Sequence, residues 1–130
     1  MPAIIIHTKR WDDPRDAADG TRILVTRFRP RGLRKEDETW DDWRPGLGPS
    51  AQLHAAAYGK GRDAVGWTTY KAAYQREMLA MKPEITSLAQ RTLAGETITL
   101  LCSSQCVRES RCHRSLLKEL IEAEAARMQA

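Results

Sequence analysis

Long hydrophobic runs are missing from this chain of 130 residues. A membrane-spanning helix needs about 20 consecutive apolar residues, and the run Ile4 to Ile6 is too short for that or for a signal peptide. We therefore predict a cytoplasmic protein with no membrane partner. Internal repeats, low-complexity segments and linkers are also absent, which predicts one domain over residues 1–130. No cofactor is predicted.

Cysteine and histidine are scarce, with three of each. An odd number of cysteines does not suit a disulfide framework, and it fits a compartment in which thiols stay reduced. Charge is also limited, since 21 Lys and Arg residues against 17 Asp and Glu residues give a net charge of +4. This excess permits an anionic small molecule or a nucleic acid as partner but requires neither. No pattern in the sequence sets the oligomeric state.

Hydrophobic patterns predict an α/β fold. Because helical segments separate the strands, parallel pairing is expected. We predict a single three-layer domain in which a mainly parallel sheet is flanked by helices. Strands are predicted at 3–8, 22–28 and 97–102, and helices at 38–44, 50–57, 63–81, 83–92 and 111–128.

All three cysteines and one histidine lie between Cys102 and Arg114, where a predicted strand gives way to the last helix. If Ser110 caps that helix, Cys112 lies in its first turn, where unpaired N–H groups and the helix dipole favour a thiolate. The same position would hold a phosphate or carboxylate without a covalent step. Cys112, His113 and Arg114 are therefore predicted as catalytic residues. The alternative for Cys112 is a small, half-buried residue that fills a gap at a helix start.

Other uses of these cysteines remain open. A reversible disulfide between Cys102 and Cys112 would make the chain a thiol redox protein. Cys102, Cys106, Cys112 and His113 are potential zinc ligands, but their spacing matches no zinc knuckle and adjacent helical side chains point about 100° apart. We predict no metal. Cys102 and Arg108 have the C-x5-R spacing of cysteine phosphatases, although no glycine between them permits a tight phosphate loop.

A second group of candidates follows the second predicted strand. Arg27 and Arg29 share one face near its C-terminal end, where parallel sheets place ligands, and guanidinium groups pair well with phosphate. We predict Arg27, Arg29, Arg31, His7 and Cys102 as ligand-binding residues. Pairing of the arginines with Asp41, Asp42 or Glu36 is the alternative. His7 is also a candidate base for a catalytic cysteine, since adjacent helical side chains diverge.

Four separated motifs carry a resemblance to a known family. They are Arg22-Ile-Leu-Val-Thr-Arg-Phe-Arg-Pro-Arg-Gly-Leu33, Leu47-Gly-Pro-Ser50, a helix with Trp67, Tyr70, Tyr74 and Glu77, and Leu101-Cys102 followed by Cys112-His-Arg-Ser-Leu-Leu117. Together they resemble the YeaO-like family, also called domain of unknown function 488, from about residue 3 to 123. The resemblance implies a small α/β protein of a family without a settled activity. Many relatives have Asp where this chain has Thr26, and Trp where it has Arg29.

These observations lead to two functional hypotheses, and the sequence leaves open whether the protein is an enzyme. The first is an anion pocket lined by Arg and Cys that binds or processes a phosphorylated or nucleotide-like small molecule. The second is a nucleic-acid-binding module, in which exposed Trp residues stack on bases and Arg22, Arg31, Arg34 and Lys35 contact phosphates. The acidic block at 36–42 opposes the second hypothesis.

Overall fold

The computed structural model describes residues 4–58, 66–103 and 112–129. It contains a four-stranded sheet in the order β1-β4-β2-β3, in which all neighbouring strands are parallel. The predicted α/β class is therefore confirmed. Within the described ranges, no helix is long and apolar enough to cross a membrane. The strands are β1 (Ile6–Arg10), β2 (Thr21–Leu24), β3 (Asp42–Trp43) and β4 (Ile98–Cys102), and the helices are α1 (Ala51–Tyr58), α2 (Trp67–Met78), α3 (Lys82–Leu93) and α4 (His113–Gln129).

Strand β4 lies between β1 and β2, and its five residues are all buried. A strand enclosed on both faces of a parallel sheet is expected to be continuously apolar, and the sequence of β4, Ile-Thr-Leu-Leu-Cys, is close to that pattern. Its register with β1 pairs Ile6 with Ile98 and Arg10 with Cys102, and its register with β2 pairs Leu24 with Leu101. The C-terminal ends of β1, β4 and β2 therefore meet at one edge of the sheet.

The two faces of the sheet have different neighbours. Side chains alternate along a strand, and Ile98 and Leu100 point into the core that the helices cover. Thr99 faces the other way, and its hydroxyl donates to the carbonyl oxygen of Asp19 at 2.7 Å. That second face is covered by the connection between β1 and β2, which contains the short 3-10 helix Ala17–Asp19.

A buried cluster of charged side chains holds this connection against the sheet. The carboxylate of Asp19, 2% exposed, contacts Lys9 Nζ at 2.7 Å and Arg22 Nη1 at 2.7 Å. The guanidinium of Arg22, which is completely buried, also donates to the Asp13 carbonyl oxygen at 2.9 Å. Burial alone would raise the pKa of Asp19, but hydrogen bonds from Lys9, from the Asp16 N–H and from Arg22 lower it to about 2.

The second predicted strand and the helix predicted after it differ in the structure. Strand β2 ends before the predicted strand 22–28 does: the N–H of Val25 still donates to the Leu101 carbonyl at 2.9 Å, and the chain then leaves the sheet. The predicted helix at 38–44 is wrong, because β3 lies there instead. The residues on either side of β3 bond to the open edge of β2: the Asp41 N–H donates to the Arg22 carbonyl and the Arg44 N–H to the Leu24 carbonyl, both at 2.8 Å.

The predicted helix boundaries hold where they depend on capping residues. The Ser50 hydroxyl oxygen accepts the Leu53 N–H at 3.1 Å and caps α1. Pro83 lies in the first turn of α3, where N–H groups have no intrahelical acceptor, so the lack of an N–H in proline costs no hydrogen bond. Asp63, the predicted cap of the next helix, lies outside the described residues, and α2 begins at Trp67.

Candidate functional site

The last strand and the last helix meet at the edge where β1, β4 and β2 end. The segment between them, 104–111, lies outside the described residues, and with it Cys106, Arg108 and Ser110. The C-x5-R spacing and the Ser110 cap therefore stay predictions. What the structure describes is both sides of this junction: Cys102 and Ser103 on the strand side, and the helix from Cys112 onward.

Cys112 immediately precedes α4 and is not inside it. Its carbonyl oxygen accepts the Ser115 N–H at 3.1 Å and the Leu116 N–H at 3.5 Å, as an N-cap residue does. Helix α4 thus begins two residues later than predicted. The sulfur of Cys112 is in a disulfide bond, whereas Cys102 is a free buried thiol. The two cysteines that the redox hypothesis paired are therefore not bonded to each other.

The side chains of Cys112 and His113 lie together, with Sγ 3.8 Å from Nδ1. The expectation that they diverge is wrong, because Cys112 precedes the helix and does not share its 100° spacing. The Nε2 atom of His113 lies 2.7 Å from the Val25 carbonyl oxygen. A carbonyl only accepts, so this contact requires the proton on Nε2 and leaves the Nδ1 lone pair facing the sulfur.

His113 is held as a neutral imidazole. Its ring packs against Tyr74, with 5.7 Å between the centroids, and only 7% of the residue is exposed. Burial lowers the pKa of His113 to about 4, although the bond to Val25 raises it. An unprotonated base therefore lies beside Cys112 at neutral pH. By contrast, His7 is the exposed second residue of β1, pairs with Thr99 and lies about 10 Å along the strand from this edge.

Cys102 ends β4 with its side chain on the face covered by the helices. The residue is completely buried. Burial raises the pKa of its thiol to about 12, although the charges of Arg114 and Arg10 act in the opposite direction. Cys102 is therefore a protonated thiol in this environment, and the charges of two guanidinium groups act on it.

Among the described side chains at this edge, Arg114 has the most buried nitrogen atoms without a hydrogen-bond partner. It is 5% exposed, and its Nε and Nη1 atoms are buried without a hydrogen-bond partner. Guanidinium stays protonated in proteins, and a buried charge without a partner is destabilising by several kcal/mol. The residue belongs to the first turn of α4, where backbone N–H groups also lack intrahelical acceptors. This arrangement suits an anion.

The predicted ligand-binding arginines make other contacts. Arg27 donates to the carbonyl oxygens of Pro49 at 3.3 Å and Gly48 at 3.2 Å. Arg29 pairs with Glu38 at 2.7 Å, which is the predicted alternative with a different acidic residue from the same block. Arg31 is exposed. Arg27 and Arg29 hold the segment after β2 in place through these contacts. Ligand binding by the three arginines stays a prediction.

Sequence reasoning missed Arg10 and the acidic turn that follows it. The predicted strand stopped at residue 8, whereas β1 continues to Arg10. The Arg10 guanidinium contacts Asp12, with Nε 3.2 Å from Oδ1 and Nη2 3.2 Å from Oδ2. The Arg10 N–H donates to the Asp13 carboxylate at 2.8 Å. Extending the strand by two residues would have placed Arg10 beside Cys102, its register partner.

The surface proposed for nucleic acid is only partly present. Arg22 is completely buried against Asp19 and is therefore wrong as a nucleic-acid contact. Arg31 and Lys35 are exposed, and Arg34 is exposed and paired with Asp37 at 2.9 Å. Nucleic-acid binding stays a prediction.

Comparison with known proteins gives a family without a settled activity. A family model described as the active DUF488-N3 subclade matches residues 6–125. The uncharacterized protein YeaO of Escherichia coli (strain K12) is 35% identical over 100 residues, which are 77% of this chain and 84% of that protein. No solved structure matches the chain.

Proposed function

The chain belongs to the DUF488 family, in its active N3 subclade, and we propose that it binds and processes a phosphorylated small molecule at the start of α4. The observation that carries the proposal is the buried guanidinium of Arg114, whose Nε and Nη1 atoms have no partner. Fork-like guanidinium donors match the oxygens of a phosphate, and a helix N-terminus adds backbone N–H groups. A bound phosphate would supply the missing acceptors.

A thiol nucleophile beside the anion site completes the proposal. The step requires Cys112 as a free thiol. A dithiol reductant produces it by donating two electrons to the disulfide, and the reductant itself becomes a disulfide. Nδ1 of His113 accepts the thiol proton. The thiolate sulfur then forms a bond to the electrophilic atom of the ligand, and the leaving group departs with the electron pair of the broken bond. Protonated His113 returns the proton to that leaving group.

Phosphate binding to Arg114 is tested by calorimetry on the reduced protein, with inorganic phosphate as the probe. Replacement of the guanidinium in Arg114→Met is expected to weaken binding at least tenfold, because the charge that holds the anion is lost. The variant is expected to be at least as stable as the parent without phosphate, since an unpaired buried charge is removed. Arg127→Met is the matched control on the same helix: its guanidinium pairs with Glu124, is 61% exposed and lies far along α4.

Two results would contradict the proposal. One is the absence of phosphate binding to the reduced parent protein at millimolar concentration. The other is equal phosphate affinity for Arg114→Met and Arg127→Met. The Cys112 step has its own test: alkylation of the reduced protein at pH 7 should be slowed by His113→Gln, and an unchanged rate would remove His113 as the base.

A further inference from the structure

A second arginine, Arg10, lies beside Cys102 on the neighbouring strand. Arg10 and Cys102 end β1 and β4 and are register partners. Paired residues of neighbouring parallel strands are about 4.8 Å apart and point to the same face. Arg10 therefore lies next to Cys102 in the sheet, and Arg114 lies in the first turn of α4. The fields of both arginines act on the Cys102 thiol.

The ion pair between Arg10 and Asp12 is exposed and weak. The Arg10 guanidinium pairs with Asp12 in a contact where the two side chains are 32% and 34% exposed. Ion pairs this exposed to water contribute about 0–1 kcal/mol. The turn itself does not depend on them, because the backbone N–H of Arg10 donates to Asp13 and the Asp13 N–H donates to the Arg10 carbonyl at 3.0 Å. The guanidinium can therefore change partner while the turn stays folded.

We propose that Arg10 is the second cation of the anion site and exchanges Asp12 for the ligand, which makes the site selective for dianions such as a phosphate monoester. This inference rests on the proposed function, since it requires that Arg114 binds an anion. One guanidinium compensates one negative charge. The second charge of a dianion is compensated when another cation lies close by, and Arg10 is a second arginine whose charge acts on Cys102.

The selectivity can be separated from other pH effects by the choice of probe. Methyl phosphate gains its second charge near pH 6, whereas sulfate is a dianion throughout. The described titratable and charged groups that face the site are Asp12 and Asp13 after β1, Cys102 on β4, His113 and Arg114 on α4, and His54 on α1, whose charge acts on His113. Any effect of these groups on the site alters the binding of both probes, so sulfate is the internal control.

The experiment measures both affinities by calorimetry at pH 5 and pH 7.5, on the reduced full-length chain. We expect methyl phosphate to bind at least fivefold more tightly at pH 7.5, and sulfate to change by less than twofold. Arg10→Met should lower the pH 7.5 affinity for methyl phosphate to the pH 5 value, and Arg10→Lys should restore part of it. Asp12→Asn should strengthen binding of both probes, because the ion pair between Arg10 and Asp12 is then no longer given up on binding.

The outcomes distinguish the two proposals. If neither probe binds the parent protein, the proposed function fails and this inference fails with it. If both probes bind and Arg114→Met abolishes binding, while Arg10→Met keeps the parent affinities and pH dependence, only this inference is overturned. Weaker binding to Asp12→Asn would overturn the partner exchange. Arg34→Met removes a guanidinium from the exposed pair with Asp37 and should leave every affinity unchanged.

Discussion

Replacing Asp19 by Asn should destabilise the protein through one identified interaction. Asp19 is 2% exposed and neutralises Arg22, which is completely buried, and Lys9. Asn keeps the size of the side chain and one carbonyl acceptor but removes the negative charge. The guanidinium of Arg22 then stays buried with only neutral acceptors, such as the Asp13 carbonyl. A buried charge left without its counter-ion is strongly destabilising.

The magnitude follows from the pKa of Asp19, which falls from 3.8 to about 2 on folding. Each unit corresponds to about 1.4 kcal/mol, so the ionised form contributes about 2.5 kcal/mol to the free energy of unfolding at neutral pH. Because the pKa is lower in the folded protein, this stability is complete above pH 3.8 and is lost as the pH falls through about 2. We therefore expect Asp19→Asn to lose about 2–3 kcal/mol at pH 7.

Urea unfolding between pH 2 and pH 7 measures this difference. The difference in free energy of unfolding between the parent and Asp19→Asn should be constant from pH 7 to about pH 5 and should shrink below pH 4. Asp37→Asn is the matched control, because its pair with Arg34 has side chains that are 48% and 75% exposed and should contribute less than about 0.5 kcal/mol. Equal stability of Asp19→Asn and the parent at pH 7, or a gap that persists unchanged to pH 2, would refute the reasoning.

Two further predictions concern a glycine and the buried histidine. Gly20→Ala should lower the free energy of unfolding by more than about 2 kcal/mol, because Gly20 has φ 63° and an added Cβ would lie 2.2 Å from the Thr97 carbonyl oxygen. Gly32→Ala, with φ 73° and open space around the added Cβ, should lose only about 1 kcal/mol in the same urea titration, and equal losses would contradict the steric argument. His113, whose pKa is lowered from 6.5 to about 4, should make the protein less stable as the pH falls from 6.5 toward 4. Nitrogen-15 NMR should find its ring neutral with the proton on Nε2 at pH 6, and a charged ring there would contradict the burial argument.

The sequence predicted those strands and helices that depend on interactions between residues close together in the chain. The apolar run that became β4 and the cap at Ser50 each act through neighbouring residues. Strand β3 was missed because nothing local produces it. Trp40 and Trp43 are three residues apart and suggested a helix, whereas the unpaired carbonyls on the edge of β2 attract this segment as a strand. That interaction joins residues about 20 positions apart in the chain.

The same distinction explains the site. The strand-to-helix junction and Arg114 were predicted, because a helix start is local. The lack of a partner for its guanidinium depends on the whole fold and has no signal in the sequence. Arg27 and Arg29 were assigned to one face of a strand, but β2 ends at Leu24, so the alternation does not extend to them. Arg10 was missed because the predicted first strand ended at residue 8, whereas β1 continues to Arg10.

Thr26 occupies a position where the resemblance to the family implies Asp in many relatives. Its hydroxyl donates to the Phe28 carbonyl at 2.7 Å, and its carbonyl accepts the indole N–H of Trp43 at 2.8 Å. A carboxylate accepts hydrogen bonds only and could not make the first contact. In this chain position 26 therefore stabilises a turn and supplies no carboxylate base. The neutral base at this edge whose lone pair faces a cysteine is instead His113, so proton transfer in the proposed chemistry depends on the Nε2 contact that fixes its tautomer.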